Sequence, residues 1–118
     1  MKNYINETKL VVITRSDVSR GYQAVQSTHS VADFSYEYPE IFRKWKEDTN
    51  SIICLDVKNE SELLKLYDKL KGETQSVLFF EPDVNEYTSM CIYGTHEIRK
   101  KLNSLPLLLK NKQRHGTI

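Results

Sequence analysis

The 118-residue chain is 39% hydrophobic and 28% charged, and its 17 basic and 16 acidic side chains leave a formal net charge of +1. This length suits a single domain, residues 1–118, built around one core. With only 4 Gly and 3 Pro it is neither collagen-like nor low in complexity, and a charge so near zero means that any grip on nucleic acid must be local.

In chain order, the N-terminus Met1-Lys2-Asn3-Tyr4-Ile5-Asn6-Glu7 has no apolar run of signal-peptide length. No segment approaches the ~20 apolar residues of a membrane span. A cytoplasmic protein with no membrane contact is expected. Residues 9–14, Lys-Leu-Val-Val-Ile-Thr, form a β-branched apolar run, a strand buried on both faces. Arg15 to Gly21 is polar and reads as a loop. From Tyr22 to about Tyr38 a helix is predicted, with Val25, His29 or Thr28, Ala32 and Tyr36 recurring at spacings of three and four as its inner stripe. Pro39 punctuates it, and Glu40 to Glu47 gives a short second helix with Ile41, Phe42 and Trp45 on one side and Arg43, Lys44 and Lys46 on the other.

Ile52-Ile53-Cys54-Leu55 is a second buried strand. Asn59 caps the next helix, with Glu62 completing a capping-box pattern. Its Leu63, Leu66, Tyr67 and Leu70 share a buried face, and Gly72 is placed for a left-handed cap. Val77-Leu78-Phe79-Phe80 is a third strand. The turn Glu81 to Tyr87 leads to a fourth, Thr88 to Tyr93. Thr95 caps a last helix in which Ile98, Leu102 and Leu105 share a face, and Pro106 limits it. Beyond it Lys110 to Ile118 is polar, basic and expected to be mobile. The order β-α-α-β-α-β-β-α predicts an α/β fold, a four-stranded mixed sheet flanked by helices in three layers, with the last two strands as a hairpin.

Cys54 and Cys91 lie in strand-like segments and are expected as reduced, buried thiols. The two Cys and His29, His96 and His115 lack zinc-site spacing, so no metal is expected. No P-loop and no GxGxxG supports a nucleotide cofactor, so none is expected.

Candidate chemistry gathers where the first strand hands over to its helix, because ligands collect at strand C-termini and at helix N-termini with their unpaired N–H groups. Gln26, His29 and Asp33 share one helix face, and a carboxylate one turn from His29 can fix its tautomer. Glu81, Asp83 and Glu86 bring three carboxylates into one turn, where neighbouring acids can supply a general base. The alternative is an ordinary acidic hairpin turn. Arg43, Lys44 and Lys46 of the second helix, together with Arg99, Lys100, Lys101, Lys110, Lys112 and Arg114, could meet a phosphate backbone or be solvated faces. Trp45 reads as a core anchor.

The stretch from Thr14 to His29 resembles the opening strand, loop and helix of the type-2 peptidyl-tRNA hydrolases. Their R-x-D-L start falls on Arg15 and Asp17, with Val18 in the Leu place, and their A-x-Q-x-x-H-A helix falls on Ala24, Gln26 and His29. The element order resembles the family over about residues 9–105, and Phe80-Glu81-Pro82-Asp83 and Leu105-Pro106-Leu107 resemble a compact branch from bacteria and phages. The resemblance implies metal-free cleavage of the ester between a peptide and the 3′ end of tRNA. It also implies tRNA as partner and, since relatives of this fold often pair, a homodimer; a small nucleotide ligand is the partner of the alternative reading. The family's catalytic histidine falls on His29, its aspartate on Asp83 or Glu81, and a threonine on Thr88. Its lysine does not carry over: Tyr22 stands in that place, in a loop about two residues shorter, and a neutral hydroxyl is a weaker oxyanion partner than a fixed cation. Arg20 is the candidate substitute, with Arg15, Gln26 and Lys44 as candidate phosphate or ligand contacts. The alternative function is a non-catalytic, or differently catalytic, nucleotide or RNA-end binder of the same fold, such as a phage protein that sequesters or cleaves a small nucleotide signal. A third reading is a structural partner that dimerises through a sheet edge or helix face.

Overall fold

The computed structural model describes residues 7–110. The tail expected to be mobile lies, from residue 111 on, outside the described residues. The elements run β1 (Lys9–Arg15), α1 (Arg20–Glu37), α2 (Pro39–Asp48), β2 (Ile52–Val57), α3 (Glu60–Leu70), β3 (Ser76–Glu81), β4 (Glu86–Gly94) and α4 (His96–Lys101). The sheet order is β2-β1-β4-β3, with β1 parallel to β2 and β4 antiparallel to both β1 and β3. The predicted α/β mixed sheet and its element order are present.

Period-2 alternation along β1 splits the core into two layers. Leu10 and Val12 join Phe34, Trp45, Cys91 and Tyr93 under α1 and α2, while Val11 and Ile13 join Leu63, Leu70, Met90, Ile92, Ile98 and Leu102 under α3 and α4. Each such aliphatic side chain contributes about 1.5–3 kcal/mol when fully buried, so these two layers hold the sheet between its helices. Trp45 is a core anchor, 3% exposed, and its Nε1–H donates to the Ser51 carbonyl at 2.8 Å. Cys54 and Cys91 are free thiols that flank Val12 on opposite neighbouring strands. Two strand spacings, ~9.6 Å, separate them, beyond disulfide reach. Burial raises both thiol pKa values, that of Cys91 to about 12.

Several expectations are corrected. The inner face of α1 is not the Val25–Tyr36 stripe: Val25 is 51% and Tyr36 86% exposed, and Gln23, Gln26, Ser27, Ser30 and Phe34 are buried instead. The helix starts at Arg20, two residues early, because Ser19 accepts the Tyr22 N–H as its N-cap. β2 is an edge strand with Ile52 exposed, not a fully buried one. Gly72 does not adopt a left-handed cap, since α3 closes through right-handed Lys71 and a Glu73 N–H bond to the Leu70 carbonyl. α4 stops before Leu105: Asn103 and Ser104 compete for the backbone, and Pro106 disfavours helix at the residue before it. Residues 106–108 then run along the outer edge of β2, with the Asp56 N–H donating to the Pro106 carbonyl and the Leu108 N–H to the Cys54 carbonyl.

Candidate active site

The directions of the strands bring distant residues to one end of the sheet. β1 and β3 finish there, β4 begins there, and α1 starts above it. The β3–β4 register passes from Phe79↔Ser89 to Phe80↔Tyr87, so Thr88 is an extra residue, a β-bulge. Regular alternation would turn Thr88 away from the face that Ser89 occupies. The bulge lets both reach α1: Ser89 Oγ donates to the Gln26 carbonyl at 2.7 Å, and Thr88 Oγ1 donates to Gln26 Oε1 at 2.5 Å.

Gln26 is the hub of the cluster. It is fully buried, and its Nε2 donates to Glu81 Oε1 at 2.9 Å. Glu81 is 8% exposed, and its second oxygen accepts the Asp83 N–H at 3.1 Å. These two hydrogen bonds lower the Glu81 pKa, Gln26 contributing most; burial opposes them, and the charge of His29 adds to the lowering. A buried polar face continues along the helix, where the Thr14 and Ser27 hydroxyls lie 2.6 Å apart and Ser27 Oγ donates to the Gln23 carbonyl. Buried polar groups are tolerated only when bonded, so this face fixes how α1 sits on the sheet.

His29 is exposed, with its ring stacked on Phe79 at 4.6 Å between centroids and 8° between planes. The stack fixes the plane of the imidazole and leaves it open to a ligand. Asp33, one turn on, makes no hydrogen bond to it among the described residues. Tyr22 has its hydroxyl shielded from solvent without a hydrogen-bond partner among the described residues. Desolvation first, then the charges of Glu81 and Asp83, raise its pKa, and Arg15 opposes them. The phenol therefore stays a donor at neutral pH. Tyr22, Gln26 and His29 stand at i, i+4 and i+7, so they share a helix face about 10 Å long. Glu81 is coupled to all three.

The other candidates divide. Asp83 sits exposed in the turn and contributes its backbone N–H to the cluster. Arg15 belongs to β1 and not to the loop. Its Nε and Nη2 grip Asp17 at 2.9 Å each, and its Nη1 donates to Glu86 at 2.7 Å and to the Tyr87 carbonyl at 3.0 Å. Four of its five donors are thus used within the protein. The Asp17 bond, followed by Glu86, raises the Arg15 pKa against the effect of burial. The geometry gives Arg15 to the strand end and leaves little of it for a phosphate. Arg20, at the start of α1, has no ion pair among the described residues. Lys44 is not brought to the site: it lies on the solvent face of α2, which joins the far end of α1 to the start of β2, in a concavity of about 530 Å³ shared with Glu40, Arg43, Glu47 and Asp48. Glu81 had a usable sequence signal, since Val77, Phe79 and Glu81 alternate onto one strand face. The bulge at Thr88 and the pairing of Arg15 had none.

The site thus lies at one end of a four-stranded mixed α/β sheet, beneath a helix that carries Gln26 and His29. The family model described as peptidyl-tRNA hydrolase PTH2 matches residues 8–85, more than half of the chain. The chain belongs to that family and carries a peptidyl-tRNA hydrolase-like domain. Among solved structures it is similar to a protein of unknown function, Atu0240 from Agrobacterium tumefaciens str. C58, with a TM-score of 0.59 and 15% identity over 86% of this chain and 97% of that one. That likeness concerns the fold alone. No curated protein matches the chain. Among the described residues no helix is long and apolar enough to cross a membrane.

Proposed function

We propose that this protein hydrolyses the ester between a peptidyl group and the 3′ end of tRNA, with His29 as the acid–base group and Glu81 as its fixed carboxylate. The observation that carries this reading is the convergence of His29, Gln26, Glu81, Thr88 and Tyr22 at one sheet end. An imidazole can both take and give a proton, whereas a carboxylate held low in pKa is a weak base but a steady counter-charge. In this scheme His29 takes a proton from water as its oxygen attacks the ester carbonyl. Glu81 stabilises the imidazolium that forms. The cationic start of α1 at Arg20 faces the developing oxyanion. The imidazolium then returns its proton to the departing 3′-oxygen, giving free peptide and tRNA. Gln26 and Thr88 position Glu81. A cytoplasmic setting and a homodimeric assembly go with this reading, and sedimentation at several concentrations tests the second.

The test is peptide release from peptidyl-tRNA. Wild type should release peptide, while His29→Ala and Glu81→Gln should each fall by roughly a hundredfold or more. Wild-type turnover no faster than that of the double variant overturns the proposal.

One observation favours a second reading, binding of an RNA end or nucleotide without turnover. The family lysine is replaced by Tyr22, a neutral hydroxyl in place of a fixed cation. Calorimetry with a CCA-ended RNA and a nucleotide panel separates the two: tight binding without release supports the binder, and no ligand of either kind removes it.

A further inference from the structure

Away from the α1 end of the sheet, the opposite face carries a cleft of about 360 Å³. Its floor is Val11, Ile53 and Leu55 of the sheet, and its walls are Leu102, Leu105 and Leu107. Leu107 is 53% exposed. The volume lies in the range of small-molecule sites, ~300–1,000 Å³, which are mostly apolar with few polar groups. The polar groups here are Lys9, Arg99 and Asn103, and no carboxylate among the described residues lines the cleft.

The arginine is held in place. Its Nη1 donates to the Gly94 carbonyl at 2.7 Å and to the Glu7 carbonyl at 2.9 Å. Its stem lies over Gly94, where a Cβ would come within 3.4 Å of Arg99 Cγ and within 2.6 Å of Val11 Cγ2. Neutral carbonyls orient the guanidinium without cancelling its charge. Neither Lys9 nor Arg99 meets a carboxylate among the described residues. Two uncancelled cations at the mouth of an apolar cleft call for an anion with an apolar body.

We propose that this cleft binds a small amphipathic carboxylate, with its headgroup at Arg99 and Lys9 and a medium-length alkyl chain against Ile53, Leu105 and Leu107. The basic segment after Lys110, with Lys112 and Arg114, has the wrong charge to serve as the occupant. The proposal does not depend on the hydrolase reading.

The test titrates the full-length protein with octanoate and follows backbone amide and arginine Nε–H signals by NMR. Octanol carries the chain without the charge, and acetate the charge without the chain. Expected are saturable shifts at Ile53, Arg99 and Leu107 with octanoate, binding about fivefold weaker for Lys9→Gln and for octanol, and none for acetate. Leu107→Ser, at a half-exposed position that folding tolerates, should weaken octanoate similarly. Absence of saturable shifts, equal affinity for octanol, or shifts confined to the α1 end of the sheet each overturns the proposal.

Discussion

The Thr88 hydroxyl donates to the side-chain carbonyl of Gln26, 62 positions away in sequence, at 2.5 Å. The same glutamine donates its amide hydrogen to Glu81. One neutral, fully buried side chain therefore joins a β-bulge to the carboxylate of the cluster. Replacing it with leucine removes both bonds and strands the buried Thr88 hydroxyl. Gln26→Leu should destabilise the fold by about 1–3 kcal/mol, read as a lower urea midpoint with an unchanged slope.

The two candidate carboxylates are separable. Glu81 faces Gln26 inside the cluster and Asp83 faces solvent. In the peptide-release assay Asp83→Asn should stay within about threefold of wild type, whereas Glu81→Gln should lose roughly a hundredfold or more. The reverse pattern would move the carboxylate role to the turn.

The pH dependence of stability carries a sign. The native Glu81 pKa lies below its unfolded value, so the ionised form is favoured by folding. That contribution is present at neutral pH and is lost as pH falls through the lowered native value. The stability gap between wild type and Glu81→Gln should be open at pH 7, begin to narrow in the ordinary carboxylate range near about pH 4, and close below it. Denaturant melts across that interval measure it.

Much of the fold is legible in the sequence because it rests on local signals. The β-branched run of β1, the Asn59 and Thr95 caps and the apolar spacing of α3 are each set by a few adjacent residues. The face of α1 is not. Its apolar stripe points to solvent because the strand ends beneath it, Thr14, Thr88 and Ser89, are polar and demand hydroxyl and amide partners. A polar helix face turned inward contradicts ordinary patterning, and such conflicts are expected at functional sites. The histidine and glutamine could be found from the motif. The choice between Glu81 and Asp83 required the strand register, and the commitment of Arg15 required residues 71 and 72 positions further along.

Arg15 should behave as a structural residue. Arg15→Lys keeps the charge but gives up the two-point grip on Asp17 at 2.9 Å. A loss of about 1–2 kcal/mol in urea unfolding is expected. A large effect on tRNA affinity at unchanged stability would return Arg15 to a phosphate-binding role.

Gly94 is a close-approach glycine. A Cβ there would sit 2.6 Å from Val11 Cγ2 and 2.8 Å from the Lys9 carbonyl oxygen, and the latter, as backbone, cannot swing away. Gly94→Ala should cost about 1–3 kcal/mol, seen as a lower melting temperature.

The short run from Pro106 to Leu108, hydrogen-bonded along β2, acts as a guard rail. Cutting the chain after Leu105 would bare a row of backbone donors and acceptors beside the half-open Ile52, an invitation to stack strand upon strand with neighbouring molecules. Protection of that edge is thereby tied to three residues that lie outside the α1 end of the sheet.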